Sequence, residues 1–487
     1  MISVNCSALI AQQLNAQRVE FNWRCVELPI GTGICLIFMT LKLKLQQWGK
    51  QVLGKSDGSE EPLRQFLAKA VTGTFSFKII NVALIYANSL LFVQLAGVKG
   101  YGEYVYVIAW LQILLIPSAL GFEGLISREL AVYTTQLRWE KAKGLLQFSN
   151  RLILLNSMGL AAIAGIAFWL INPTNSTQTL ITLSIGLVSL PFLALSRIRQ
   201  ASLQALKSVV AGELPEAIIR PSVIFAILCG LFLIRQQAIS AAMAMAIDLV
   251  ATAIAFITGA YLLQTKLNLQ VHRAVADYTP KAWMAGAAPM LLIGSMYVIN
   301  GQTDAVMLGM LKNTDSVAIY TVANRGAGLI GFVQLAFSTS LSPIFAILHA
   351  QGNLTKLKST IKKSCRATFL ISLVLATTLA LFGNWFLLMF GPEFLVGQTV
   401  LLILISGQLV SAFTGTTARL LIMTGYDKDT AIGVTISAFA NIVLNALLIP
   451  PWGIEGAAIA TALSMVIWNV ILVGFTYRRF GVLSTAL

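Results

Sequence analysis

The sequence predicts an all-α integral membrane protein of about twelve transmembrane helices, and three observations carry that reading. Of 487 residues, 57% are hydrophobic and only 11% are charged, against about 25% charged in a soluble domain, whose surface must be solvated. Apolar runs recur along the chain at close to the ~20 residues that an α-helix needs to cross the hydrocarbon core. No stretch alternates apolar and polar residues over about ten positions, as a transmembrane β-strand would. A helix, moreover, satisfies its own backbone hydrogen bonds where lipid offers none.

Residues 1–65 differ in character from the rest of the chain. The apolar run Leu28–Leu41 ends at Lys42, short of a comfortable span, and it has no small-residue cleavage site of the kind a secretory signal requires. The next stretch, Leu41 to Lys55, is basic and amphipathic and suits an anionic leaflet surface. The plainer reading, which we favour, is a disordered extension with Met39 as the start. Spans are then expected near 75–97, 105–126, 152–171, 179–197, 218–234 and 239–263. Six more are expected near 284–311, 317–345, 367–390, 398–423, 431–450 and 457–476.

Loop charge sets the orientation. One set of loops holds Arg128, Arg138, Lys141, Lys143 and Arg151, then Arg197, Arg199 and Lys207, then Lys266, Arg273 and Lys281. The same set continues with Lys356, Lys358, Lys362, Lys363 and Arg366, then Lys428, Arg478 and Arg479. The alternate loops hold only Lys99, Arg235 and Lys312. Lys and Arg accumulate in cytoplasmic loops, so both termini are expected on the cytoplasmic side. The same rule accounts for the net charge of +15 without nucleic acid as a partner. Five cysteines are scattered singly with no CxxC spacing, which implies neither a metal site nor a disulfide framework. His272 and His349 read as bystanders near helix ends.

The chain also carries an internal repeat. Tyr106-Val-Ile-Ala109 opens the second span as Tyr320-Thr-Val-Ala323 opens the eighth, and Ala241 to Ala246 matches Ala457 to Ala462. The two pairs are separated by 214 residues (106 to 320) and 216 residues (241 to 457). Six spans per unit give both units one orientation, a parallel repeat about an axis along the membrane normal. The expected organisation is therefore a lobe over 66–263, a basic connector over 264–281 and a second lobe over 282–487.

Ionisable groups inside spans are functional candidates, because burying one in lipid costs several kcal/mol unless it meets a cavity or a partner. Lys78 in the first span and Arg325 in the eighth would make a cationic cavity suited to phosphate if both face the space between lobes. Their structural reading carries equal weight. Glu123, Asp248 and Asp304 are the acidic candidates, either for cation or proton coupling or as counter-ions. An Asp304–Arg325 pair is the plainer expectation. Arg128, Arg220 and Arg419 read as interface anchors that snorkel, with Glu216 and Arg220 spaced for an i,i+4 pair. Pro117, Gly121, Pro289, Gly294 and Pro343 allow kinks and close helix packing. No Walker A, HExxH or paired-cysteine motif appears in the sequence, so ATP hydrolysis and zinc chemistry are not expected. No outer loop is long enough for a catalytic domain; the chain reads as neither an enzyme nor a cofactor protein.

Several ordered stretches carry a family resemblance. They are Phe66 to Lys78, Leu95 to Tyr104, Gly121 to Glu129, Gln302-Thr-Asp-Ala-Val-Met-Leu-Gly309, Ala318 to Arg325, Gly425-Tyr-Asp-Lys428, Asn441-Ile-Val-Leu-Asn445 and Gly453 to Thr461. Together they resemble the polysaccharide transporter family, the O-antigen and lipid-linked oligosaccharide flippases of the multidrug/oligosaccharidyl-lipid/polysaccharide (MOP) exporter superfamily. The likeness runs from about residue 64 to the end, and Gln302 departs from it where a basic residue is common. The resemblance implies a MATE-like fold in the bacterial inner membrane. It also implies flipping of an undecaprenyl-pyrophosphate-linked oligosaccharide by cation-coupled alternating access, in surface polysaccharide biosynthesis. The implied partners are membrane lipid, the lipid-linked oligosaccharide, and a glycan polymerase with other polysaccharide-assembly proteins. The alternative is a cation-coupled multidrug exporter of the same superfamily, which would favour acidic over basic groups in the cavity.

Overall fold

The computed structural model describes residues 61–171, 177–235, 239–267 and 269–486. The amphipathic stretch and the Met39 start expected from the sequence lie outside these residues. From Gln65 onward the chain forms one compact unit. Every regular element among the described residues is helical, and ten helices are long and apolar enough to cross a membrane.

In chain order the first half comprises α1 (Glu61–Ala119), α2 (Phe122–Thr135), α3 (Trp139–Ile171), α4 (Thr177–Ala205), α5 (Val209–Leu214), α6 (Arg220–Arg235) and α7 (Ala241–Lys266). A short α8 (Leu269–Arg273) lies in the connector. The second half comprises α9 (Pro280–Leu311), α10 (Thr314–Ala350), α11 (Leu354–Leu388), α12 (Gln398–Thr414), α13 (Thr417–Met423) and α14 (Asp427–Phe480).

At 59 and 54 residues, α1 and α14 would run to more than ~80 Å if straight, well over twice the ~30 Å of a hydrocarbon core. Each turns back at one glycine. Gly97 sits at φ 68° and ψ 179°, and Gly453 at φ 57° and ψ −127°, backbone conformations that L-residues with a Cβ rarely reach. The return is tight after Gly453, since a Cβ on Gly456 would overlap the Leu448 carbonyl. Where hydropathy reads two spans and a loop in each case, the backbone is nearly continuous helix with a single-residue corner.

Other expected ends shift outward for a common reason. Hydropathy stops where charge begins, but a helix can continue into water once its end is capped. α11 begins at Leu354 rather than near 367, with Asn353 Oδ1 accepting from the Lys356 amide at 3.1 Å. α4 runs to Ala205 rather than 197, which places Arg197 and Arg199 inside a helix instead of a loop.

The halves are built on small-residue contacts. α7 buries Ala241, Ala244, Ala251, Thr252, Ala255 and Gly259 along one stripe and packs most extensively on α4; such stripes let backbones approach where lipid supplies no hydrophobic drive. In the second half, Gly407 of α12 lies against Ala462 of α14, with 3.0 Å from an added Cβ to the Ala462 Cα. The connector docks on α3: Lys143 Nζ donates to the His272 and Ala274 carbonyls at 2.7 and 2.9 Å, and the Asp277 amide donates to the Glu140 carbonyl at 3.1 Å. The start of α9 leans on the first half as well, where buried Trp283 donates its indole N–H to the Tyr133 hydroxyl at 3.2 Å.

Candidate functional site

The chemistry-bearing residues gather in three places. The first is a buried polar cluster inside the second half, centred on Asp304 of α9, which is 3% exposed. Its Oδ2 accepts from the Tyr320 hydroxyl and the Thr461 Oγ1, both at 2.6 Å. Its Oδ1 accepts from Asn445 Nδ2 at 2.6 Å and Asn441 Nδ2 at 3.2 Å. Asn445 Nδ2 also reaches Asn441 Oδ1 at 3.1 Å, while the buried Asn445 Oδ1 has no partner among the described residues. All of these donors are neutral. The expected Asp304–Arg325 pair does not form, because Tyr320, one and a half turns before Arg325 on α10, is the residue that turns its hydroxyl to Asp304.

This arrangement has a definite chemical meaning. A carboxyl group held out of water among hydroxyl and amide groups has, when ionised, no cation of the protein among the described residues to compensate it. It is the kind of intramembrane acid that takes a proton or a small hard cation. Carboxylate, amide carbonyl and hydroxyl oxygens are ligands suited to a hard cation. Among the described residues no three His, Cys, Asp or Glu side chains gather as a metal cluster.

The second place is an ion cluster in the first half. Asp248 of α7 is 1% exposed and receives Arg220 Nη2 on both oxygens, at 2.8 and 3.1 Å. Arg220 Nη1 holds Glu216 Oε2 at 3.3 Å. The i,i+4 pair forms as expected, yet Arg220 is no interface anchor: its side chain is 17% exposed and neutralises Asp248. A π-helical turn over Pro215–Ile219 leads into Arg220; Pro215 lacks the amide hydrogen that would continue the regular ladder. Hydropathy cannot show that α6 and α7 turn these two residues toward one another. Arg128, by contrast, is exposed and pairs with its neighbour Glu129 at 3.0 Å.

The third place is the contact between the halves. Tyr86 of α1 donates its hydroxyl to the Arg325 carbonyl of α10, and the Arg325 guanidinium lies 5.9 Å from the centre of the Tyr101 ring. A Cβ on Gly102 would overlap the Thr314 carbonyl, and one on Gly309 would overlap the Tyr106 ring. Farther along α1, toward its junction with α2, a cavity of about 340 Å³ opens between α1, α2, α4 and α9. Its lining includes Gln112, Glu123, Arg197, Gly294 and Ser295. Of the candidate residues only Glu123 lines it. Lys78 and Arg325 do not, although neither has a carboxylate partner among the described residues. Charge alone assigns Arg197 to a loop, and only the extension of α4 brings it here.

The matching folds make sense of this geometry. Superposition on an inward-facing MATE multidrug resistance transporter of the MOP superfamily gives a TM-score of 0.66 at 14% identity, over 82% of this chain and 94% of that one. The chain has the MOP fold. The lipid II flippase MurJ in an inward closed conformation superposes with a TM-score of 0.63 at 16% identity, over 83% of this chain and 86% of that one. The MatE family model matches residues 289–447, a stretch that contains Asp304, Tyr320, Asn441 and Asn445. A probable flippase of Haloferax volcanii, AglR, is 30% identical over 174 residues. That match takes in 35% of this chain and 36% of AglR, so the chain spans about a third of the length of this curated relative. Within this fold, the motifs Gln302–Gly309 and Ala318–Arg325 lie 116 residues (325 to 441) before Asn441–Asn445 and Gly453–Thr461. Asp304, Tyr320, Asn441, Asn445 and Thr461, one or two from each, meet in the one buried cluster.

Proposed function

We propose that the chain is a flippase that carries an undecaprenyl-pyrophosphate-linked oligosaccharide across the bacterial inner membrane for surface polysaccharide biosynthesis. It would work by alternating access between two six-helix lobes, twelve spans in all, with both termini cytoplasmic. The observation that carries the reading is charge balance. Asp248 is neutralised by Arg220 and Asp304 is enclosed by four neutral donors, whereas Lys78 and Arg325 have no acidic partner among the described residues. An anionic cargo fits that imbalance, and an organic cation does not.

In this reading Lys78 and Arg325 meet the pyrophosphate as the halves part, and Asp304 takes the coupling cation or proton. Glu123 and Asp248 are the other coupling candidates; Asp248 has its counter-ion in Arg220, and Glu123 faces the cavity between the halves. A glycan polymerase and other assembly proteins would be the downstream partners. The test is leaflet-specific flipping of lipid-linked oligosaccharide by purified protein in liposomes. Arg325→Ala and Lys78→Ala are expected to abolish it at normal protein levels, and Asp304→Asn to remove its dependence on a cation gradient. Full flipping by both cation variants would defeat the proposal. The multidrug reading, favoured by the MATE likeness, instead requires resistance to cationic dyes in an expressing strain.

A further inference from the structure

The 340 Å³ cavity has a polar lining that neither Lys78 nor Arg325 supplies. Arg197 of α4 and Glu123 of α2 both line it, yet they do not pair with each other. No other protein group engages either side chain, or that of Gln112, among the described residues. Their hydrogen-bonding capacity is therefore presented to whatever fills the space. Ser295 donates its hydroxyl to the Leu292 carbonyl of its own helix at 2.8 Å, which leaves its oxygen to accept. Around this set the walls are apolar, formed by Leu115, Ile116, Met290, Leu291 and Val298. A few convergent polar groups on apolar walls, within a volume of a few hundred Å³, are the pattern of a small-ligand site.

The groups differ in what they recognise. A guanidinium fits a phosphate through paired N–H donors. A carboxylate accepts from hydroxyls and repels phosphate, and Gln112 can donate and accept. One ligand satisfies all of them: a sugar whose hydroxyls face Glu123 and Gln112 and whose attached phosphate faces Arg197. We propose that this cavity is a headgroup subsite for a glycosyl phosphate, with Glu123 reading the sugar and Arg197 the phosphate. The proposal rests on the flippase reading and adds to it that selection occurs here, on the first sugar, apart from Arg325. Gly294 offers an independent handle, since a Cβ there meets nothing within 4 Å, so a larger side chain would plug the space from a helical position without a clash at the backbone.

The test measures binding by full-length protein in nanodiscs of two fluorescent probes, polyprenyl-pyrophosphoryl hexose and polyprenyl pyrophosphate lacking the sugar. Glu123→Gln is expected to weaken the sugar-bearing probe about tenfold and leave the other unchanged, the effect of one charged hydrogen bond. Arg197→Gln is expected to weaken both about tenfold. Gly294→Leu, which removes no charge, is expected to exclude the sugar-bearing probe, with thermal unfolding showing that each variant is folded. If wild-type protein flips the lipid-linked sugar while all three variants bind both probes normally, the subsite is overturned and the flippase reading stands. If wild-type protein binds neither probe, both fail together.

Discussion

Asp248 and Asp304 are both buried acids inside apolar helices, and the side chains facing them give them different electrostatic surroundings. Arg220 fixes Asp248 with two short contacts at 2.8 and 3.1 Å, so that charge is neutralised within the protein. Removing one partner of a buried pair typically costs about 3–5 kcal/mol, because the other charge is left uncompensated, while replacing both with apolar groups is far milder. Asp248→Asn is thus expected to lower the unfolding temperature in detergent strongly, and the triple variant Glu216→Gln, Arg220→Met and Asp248→Leu, which removes all three charges of the cluster, to recover most of that loss. Asp304→Asn is expected to behave differently. Asn441 and Asn445 keep an amide oxygen to donate to, and the Tyr320 and Thr461 hydroxyls can rotate to accept from the new Nδ2, so the fold should survive while cation dependence disappears. Equal destabilisation by the two Asn variants would contradict this division of roles. The candidate residues themselves are legible in the sequence, since a charge in an apolar run stands out. Their partners are not, because pairing depends on which face each helix turns inward.

Among the helices, glycine decides where the chain turns and how closely neighbours pass. Gly121 separates α1 from α2 at φ 74°, and a Cβ there would overlap the Ala287 carbonyl and the Leu291 amide of α9. Gly121→Ala therefore meets both a left-handed backbone, worth roughly 1–2 kcal/mol, and a backbone clash. Gly159, inside α3, has nothing within 4 Å of an added Cβ; Gly159→Ala should be neutral or stabilising by up to about 1 kcal/mol. Comparing the unfolding temperatures of these two variants separates the close approach from glycine's general flexibility. Most of the expected spans coincide with helices, and they are short at their ends. Hydropathy reports the thickness of lipid, whereas Asn353 and the turns after it show a helix continuing into water.

Across the molecule, the contact between halves is tight around Tyr106 and Gly309 and opens into the cavity beside Glu123 and Arg197. Under the proposed flippase function, that asymmetry corresponds to one state of an alternating-access cycle. A Tyr106→Cys, Gly309→Cys pair, in a background lacking the native cysteines, is expected to arrest transport under oxidation and release it on reduction. Undiminished transport by the oxidised form would mean that the halves do not part here.

Composition and local order along the chain suffice to establish a helical membrane bundle. They also mark which intramembrane charges need explaining and which short motifs belong together. Lipid enforces these properties strongly, because every buried charge and unpaired peptide group is costly. It takes the folded arrangement to gather Tyr320, Asn441, Asn445 and Thr461 around Asp304, to assign Arg220 to Asp248, and to bring Arg197 to the cavity. Such pairings depend on the rotation of each helix about its axis. That rotation is set by packing of small residues against neighbours far away in sequence, a contact that no local pattern encodes.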